Sequence, residues 1–100
     1  MKRFVPLVAV AVAFAGLSAP ASAGTTSVAW KKGYKKSITV RKGTTVRFVW
    51  SDNLAHNMVG AISKGNIRGR GKAVSARFSR SGTVYCSLPG HAMYVRVNVR

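Results

Sequence analysis

The chain has 100 residues, of which 17 are lysine or arginine and one is acidic, so its formal net charge at pH 7 is +16. This length limits the protein to one small domain. With Asp52 as the single carboxylate side chain, the sequence excludes the paired acids of glycoside hydrolysis and the oxygen-rich sites that bind calcium. The excess of positive charge favours an anionic partner.

The first 23 residues are typical of a secretory signal peptide. Lys2 and Arg3 are followed by an apolar stretch over residues 4–17 and by the small-residue cleavage motif ASA at 21–23. The apolar stretch is shorter than the roughly 20 residues that a membrane-spanning helix needs. We therefore expect cleavage after Ala23, a mature domain over residues 24–100 without a transmembrane span, and a periplasmic or secreted location. The alternative is an uncleaved N-terminal anchor.

The mature sequence consists of short stretches in which apolar and polar residues alternate, separated by turns. The predicted strands are, in chain order, residues 27–30, 36–41, 44–50, 57–62, 73–79, 83–86 and 93–99. In the third of them Val46, Phe48 and Trp50 fall on one face, and this period of two is typical of half-buried strands. No segment shows a helical period. The pattern predicts an all-β protein, a small antiparallel Greek-key β-sandwich or barrel.

One stretch of the mature chain lacks this alternation. Residues 63–72, SKGNIRGRGK, are rich in glycine and positive charge and contain one apolar residue, Ile67. Glycine and polar clusters of this kind are typical of surface loops. We therefore predict an exposed, mobile loop there.

The residues with chemistry of their own are concentrated near the C-terminus. The stretch YCSLPGHAM at 85–93 contains Cys86, His91 and Met93, and the second histidine, His56, lies in the earlier run LAHNMV. A single cysteine cannot form a disulfide within the chain, so in an exported protein a role as metal ligand is favoured. One thiolate, two imidazoles and a thioether are the ligands of a type 1 copper site. The sequence therefore predicts one copper ion bound by His56, Cys86, His91 and Met93.

The same residues resemble the cupredoxin family of type 1 (blue) copper proteins, such as plastocyanin, amicyanin and pseudoazurin. ITVRKGTTVRFVW followed by LAHN resembles two strands and the first ligand loop of that family, YCSLPGH its cysteine strand and second ligand loop, and MYVRVNV its closing strand. By position, His56, Cys86 and His91 match the first histidine, the thiolate and the second histidine. Asn57 matches the residue that ties the two ligand loops together, with Ser87 as its partner.

Two features depart from the family pattern. Only Ala92 separates His91 from Met93, whereas family members usually have at least two residues between the second histidine and the methionine. If Met93 does not reach the axial position, that position is empty or is filled by Met58, a backbone carbonyl or water. The middle of the chain is also shorter than in the family, as expected if a strand or a helix is missing.

The resemblance implies a carrier that moves one electron between redox partners, with no enzymatic activity. His91 matches the histidine through which the electron passes, and Leu88, Pro89 and Ala92 match the apolar patch around it. The first alternative is an exported copper-binding or copper-delivery protein without a redox circuit. A second alternative is a cationic module that binds the cell envelope and whose copper site is vestigial.

The basic residues form two clusters, at 31–36 and at 68–72. They either keep a small exported protein soluble or dock an acidic redox protein or another anionic component of the envelope. Export removes nucleic acid from the physiological partners, although a chain of this charge is expected to bind it at low salt. Mutual repulsion between copies of so basic a chain favours a monomer.

Overall fold

The structure is a computed structural model that describes residues 24–100, and the predicted signal peptide lies outside them. Eight strands occupy the described range: β1 (Thr25–Trp30), β2 (Lys35–Val40), β3 (Thr44–Trp50), β4 (Ala55–Gly60), β5 (Lys64–Arg68), β6 (Ala73–Phe78), β7 (Gly82–Tyr85) and β8 (Tyr94–Val99). No helix long and apolar enough to cross a membrane is found in this part of the chain.

The strands form two sheets, with strand orders β1-β3-β6 and β2-β8-β7-β4-β5. Four of the pairs are antiparallel, but β1 pairs with β3 and β2 pairs with β8 in parallel. The chain crosses to the other sheet between β1 and β2 and returns between β2 and β3, so β1 and β3 run in the same direction. The predicted all-β sandwich is confirmed, with two parallel pairs that strand patterning alone does not reveal.

The inward faces of the two sheets enclose the core. Val46, Phe48 and Trp50 on β3 are each at most 1% exposed, which confirms that they share the buried face. The Trp30 and Phe48 rings meet edge to face, with centroids 5.7 Å apart. Val97 on β8 closes the core from the opposite sheet and is fully buried. Burial of several large side chains supplies the main favourable term for so short a domain.

Two buried indoles connect the three-stranded sheet to β4 and β5. Trp30 Nε1 donates a hydrogen bond to the carbonyl oxygen of Asn57 (3.3 Å), and Trp50 Nε1 donates to the carbonyl oxygen of Ile67 (2.8 Å). A buried indole N–H needs an acceptor, and here both acceptors belong to the facing sheet. These bonds give the contact between the sheets a fixed register, which apolar packing alone does not provide.

The loop predicted for residues 63–72 is wrong over its first half, which forms β5. Ile67 and Arg68 of β5 pair with His56 and Ala55 of β4. Four of the five β5 residues are exposed, so the strand carries no alternation that sequence analysis could detect. Backbone pairing at the edge of the sheet holds it, together with the Trp50 bond. The shortened middle of the chain thus retains a strand.

β4 begins earlier than predicted. It starts at Ala55, so His56 lies within a strand and not in the loop that the resemblance implied. His56 and Met58 of β4 both face the core and are at most 1% exposed, as expected for residues two apart on a strand. The strand therefore fixes the direction of the His56 ring.

Candidate metal centre

Three of the predicted ligands meet at one end of the sandwich. His56 is on β4, Cys86 follows β7, and His91 lies in the loop that leads to β8. One donor atom from each lies within 4.8 Å of the other two. Cys86 Sγ is 3.6 Å from His91 Nδ1 and 4.0 Å from His56 Nδ1, and the two Nδ1 atoms are 2.8 Å apart.

This spacing fits one metal ion between the three donors. With bonds of about 2.0 Å to nitrogen and about 2.3 Å to sulfur, trigonal donors lie about 3.5 to 3.7 Å apart. The two sulfur–nitrogen distances are close to this range, whereas the nitrogen–nitrogen distance of 2.8 Å is shorter, so the half-buried His91 ring would have to move away from His56 when a metal binds. A thiolate with two imidazoles suits copper, whereas calcium and magnesium require oxygen ligands.

The three donors differ in their access to solvent. His56 is fully buried and Cys86 is 7% exposed, whereas His91 is half-buried. The His56 ring lies against Trp50, with ring centroids 6.4 Å apart and planes tilted by 52°. Water is thus kept from two of the donors, and the third lies at the surface of the protein.

Backbone hydrogen bonds close the loop between Cys86 and Met93. The Cys86 amide donates to the Met93 carbonyl oxygen (3.2 Å), and the His91 amide donates to the Leu88 carbonyl oxygen (3.3 Å). From outside, the Gly33 amide donates to the His91 carbonyl oxygen at 2.8 Å. The turn between β1 and β2 therefore supports the exposed donor.

Met93 reaches the sandwich through an unusual backbone turn. Ala92 has a φ of 46°, the one positive φ of a non-glycine residue in the described range. Because of this left-handed turn, His91 stays in the loop while Met93 is only 2% exposed. Met58 is equally buried, at 1%, so both thioethers considered for the axial position lie inside the sandwich. The assignment of Met93 as axial ligand stays a prediction; its backbone is hydrogen-bonded to that of Cys86.

The link predicted between the two ligand segments is confirmed. Asn57 Nδ2 donates to Ser87 Oγ, and the Ser87 amide donates to Asn57 Oδ1, both at 2.9 Å. The amide side chain thus uses its donor and its acceptor on a single residue. Because Asn57 follows His56 and Ser87 follows Cys86, this pair of bonds holds two donors at a fixed distance.

The residue that sequence analysis missed is Asp52. Its Oδ1 lies 2.7 Å from His56 Nε2, and the carboxylate also accepts hydrogen bonds from the amides of Lys32 and Leu54. Since a carboxylate only accepts, Nε2 carries the proton, and Nδ1, which faces Cys86 and His91, is the nitrogen left to bind a metal. One feature of the sequence could have indicated this contact: the sole acidic side chain of a basic chain lies four residues before a histidine.

Two groups at this site, Asp52 and His91, have shifted pKa values. Partial burial raises the pKa of Asp52, but hydrogen bonds from the Lys32 amide, His56 and the Leu54 amide outweigh it and hold the pKa below the ordinary 3.8. Burial lowers the pKa of His91 below the ordinary 6.5, helped by repulsion from His56 and Lys32. Asp52 is therefore ionised at pH 7, and His91 is neutral, the state in which a histidine binds a metal.

Part of the predicted basic clusters lies beside this end of the sandwich. Arg68 Nη1 donates to the Asn53 carbonyl oxygen (2.9 Å), and Arg70 Nη1 donates to the Ser51 carbonyl oxygen (2.6 Å). Both acceptors flank Asp52 in the segment before β4. Lys32 is bound through its amide to the Asp52 carboxylate. Residues from both clusters therefore lie close to the donor set.

Comparison with known proteins supports the fold. No protein-family model matches the sequence, and no curated protein matches it. A structure of a methionine-to-alanine variant of amicyanin with Cu(I) is similar over 79% of this chain and 83% of its own, with 20% identity and a TM-score of 0.53. A reduced tryptophan-to-tyrosine variant of amicyanin is similar over 76% and 80%, with 13% identity and a TM-score of 0.51. Amicyanin is a cupredoxin, so the predicted cupredoxin fold is confirmed.

Proposed function

Starting from the cupredoxin fold, we propose that this protein is an exported type 1 copper protein that carries one electron between redox partners. The observation that carries the proposal is the convergence of His56, Cys86 and His91, whose donor atoms lie within 4.8 Å of one another. Met93 is the proposed axial ligand. When bound, copper would supply a centre that alternates between Cu(II) and Cu(I).

The hydrogen bonds around the donors favour electron transfer because they restrain the ligands. Asp52 holds the ring of His56, and the Asn57–Ser87 pair holds the two ligand segments together. Interactions of this kind orient metal ligands and tune the properties of the bound metal. A site whose ligands do not move needs little rearrangement when the oxidation state changes.

The half-buried His91 is the proposed electron port. Leu88, Pro89 and Ala92 accompany it in the same loop, as the resemblance implied, and Leu54 adds an exposed apolar side chain (38%) before β4. A small apolar surface with charges at its rim suits a short-lived complex. Copper delivery is the second candidate, favoured by the same exposure of His91, which leaves one donor accessible to an acceptor of the metal.

The proposed partner is an acidic redox protein. Asp52 is the one acidic side chain of the chain, and it is engaged with His56 and two backbone amides. The protein therefore presents no free carboxylate side chain to repel an acidic partner, and its lysines and arginines would raise the rate of encounter. We propose export through residues 1–23, a mature domain over residues 24–100, and a monomeric state.

The test is the visible spectrum of the purified protein after addition of one equivalent of Cu(II). We expect an intense thiolate-to-copper absorption that ascorbate bleaches and an oxidant restores, with copper retained in the presence of a chelator. Cys86→Ser is expected to abolish the band. A colourless wild-type complex would refute the type 1 site, and loss of copper to the chelator at the reduction step would favour delivery over electron transfer.

The axial ligand is tested by a matched pair of variants. Met93→Leu and Met58→Leu each replace one buried thioether with an apolar side chain of similar volume. If Met93 is the ligand, Met93→Leu changes the reduction potential and the spectrum, whereas Met58→Leu leaves both close to those of the wild type. The opposite result would assign the axial position to Met58.

A further inference from the structure

A groove lies at the end of the sandwich that is remote from the metal centre. Its volume is about 560 Å³, and its walls come from the end of β4, the end of β6 and the turn that leads into β7. β7 runs from Gly82 at the groove to Tyr85, the residue before Cys86. At about 3.3 Å per residue, this strand separates the groove from the thiolate by about 13 Å.

Two glycines shape the wall of the groove. A Cβ added at Gly60 would collide with the Thr83 carbonyl oxygen, and one added at Gly82 would lie 2.8 Å from the Ala61 side chain. Gly60 also has a φ of 99°, which disfavours any residue with a side chain. The backbones of β4 and β7 therefore approach closely here, and the wall that they form carries no side chain at either glycine.

The remaining lining is rich in hydrogen-bond donors. Arg77, Ser79, Arg80 and Ser81 all contribute to the groove. Ser81 Oγ accepts a hydrogen bond from the Val99 amide at 2.8 Å, which leaves its hydroxyl proton free to donate elsewhere. Each guanidinium offers five N–H donors in a planar fork that matches the oxygens of a phosphate group.

No salt bridge to either arginine is found in the described part of the chain. The contact found there between an acidic and a basic side chain joins Asp52 to His56, at the opposite end of the molecule. Since Asp52 is the sole acidic side chain in the sequence, Arg77 and Arg80 have no carboxylate side chain available to them. With two arginines among its lining residues and no acidic side chain beside them, the groove favours an anion over a cation.

From this lining we infer a binding site for a phosphate group, formed by Arg77, Arg80 and the hydroxyls of Ser79 and Ser81. Phosphate suits the lining better than a carboxylate does, because its oxygens can accept from two guanidinium forks and from hydroxyl groups together. The groove has room for more than the phosphate alone, so a phosphodiester carried on a larger molecule fits as well as the free ion. Binding here would leave the metal centre, at the other end of β7, free to meet a redox partner.

The first experiment titrates the purified protein with inorganic phosphate at low salt and follows the amide resonances by NMR. We expect saturable shifts centred on residues 79–83. The variant Arg77→Gln/Arg80→Gln is expected to bind at least about ten-fold more weakly, since it loses charge-assisted hydrogen bonds. The matched control Arg47→Gln/Lys64→Gln removes the same charge from exposed positions outside the groove and should bind within about two-fold of the wild type.

Equal weakening in the two double variants would show that phosphate responds only to net charge, and this would overturn the site. Shifts without saturation would overturn it too. Tighter binding of an oligoglutamate peptide than of phosphate would also refute the assignment, because the groove would then select carboxylates. None of these three outcomes depends on copper, so they can refute the phosphate site without affecting the proposed electron transfer.

A second experiment identifies the source of the phosphate. Vesicles of phosphatidylglycerol are compared with vesicles of phosphatidylcholine for the wild type and both double variants. Binding to phosphatidylglycerol that the groove variant loses and inorganic phosphate displaces would identify a lipid headgroup as the ligand. Binding of inorganic phosphate without this vesicle effect would identify the free ion.

Discussion

His56 Nε2 lies 2.7 Å from Asp52 Oδ1, and this contact joins the most buried of the three candidate metal donors to the sole acidic side chain of the chain. In a protein of formal charge +16, one carboxylate among so many cations would be expected at any of several lysines or arginines. Instead, the carboxylate accepts a hydrogen bond from Nε2 of His56. The contact thereby prepares the other nitrogen, Nδ1, for a metal.

Replacing Asp52 should weaken copper binding. Asp52→Asn keeps one side-chain oxygen, so it cannot accept from both the Lys32 amide, bound at Oδ2, and the Leu54 amide, bound at Oδ1. It also removes the charge that favours His56 with its proton on Nε2. We expect copper affinity to fall by about 10- to 100-fold, measured by competition with a chelator of known affinity. Asn53→Ala, which changes the neighbouring side chain, serves as control. Equal affinities for Asp52→Asn and the wild type would show that the contact is not needed for binding.

Variants that remove one or both hydrogen bonds of the Asn57–Ser87 link should be less stable in proportion to the bonds lost. Asn57→Ala deletes both hydrogen bonds, whereas Ser87→Ala deletes the one to Oγ and keeps the one from the Ser87 amide. We expect losses of about 1–2 kcal/mol for Asn57→Ala and about half of that for Ser87→Ala, measured by urea unfolding of the metal-free protein. The double variant should be no less stable than Asn57→Ala by more than about 0.5 kcal/mol. Fully additive losses would contradict a direct link.

The backbone at Ala92 should discriminate between side chains. With a φ of 46°, this position accepts glycine readily and a β-branched residue poorly. Ala92→Gly is expected to stay within about 1 kcal/mol of the wild type in free energy of unfolding, because relief of strain offsets the greater entropy of the unfolded chain. Ala92→Val should lose more than about 1 kcal/mol. Ala73→Val, at an exposed strand position, is the control; equal losses for the two valines would rule out backbone strain at Ala92.

Alanine substitutions at two exposed glycines should have different effects on the free energy of unfolding. At Gly60 the added Cβ meets the Thr83 carbonyl oxygen at a φ of 99°, whereas at Gly65 nothing lies within 4 Å. We expect Gly60→Ala to lower the free energy of unfolding by more than about 2 kcal/mol. Gly65→Ala should be neutral or slightly stabilising, because it restricts the unfolded chain. Thermal unfolding of both variants tests this, and a tolerated Gly60→Ala would mean that β4 and β7 can separate there.

Acid should destabilise the metal-free protein through two groups. The pKa of His91 is lowered by burial and by repulsion from His56 and Lys32, so below its ordinary 6.5 the unfolded chain takes up a proton that the folded chain resists. The pKa of Asp52 is held below its ordinary 3.8 against the effect of burial, so its contribution is present above that value and is lost as the pH falls through the folded pKa. Both effects have the same sign.

The expected measurement is a urea midpoint that decreases steadily between neutral pH and about pH 3, with a chelator present throughout. Asp52→Asn should reduce the decrease of the midpoint near pH 3 to 4. The decrease that begins below pH 6.5, which is due to His91, should remain. A midpoint that rises on acidification would contradict both assignments.

Much of the fold could be predicted from the sequence because period-two alternation reports directly which strand face is buried. Val46, Phe48 and Trp50 lie where that pattern places them. The spacing of Cys86 and His91 likewise predicted two donors on one loop, since a Pro-Gly turn after a strand brings the chain back on itself. The Asn57–Ser87 link followed from the family resemblance and needed no structure.

Tertiary structure alone decided the rest. β5 is a strand because β4 offers it an edge and Trp50 donates to Ile67, and neither partner is local in sequence. Asp52 faces His56 because the segment before β4 turns toward the Lys32 amide, twenty residues away in the chain. The alternation of apolar and polar residues indicates which face of a strand is buried, but it does not indicate which distant segments are in contact. The sequence by itself therefore determined the sandwich and three donors, while the carboxylate behind His56 and the groove at the far end depend on how distant segments pack.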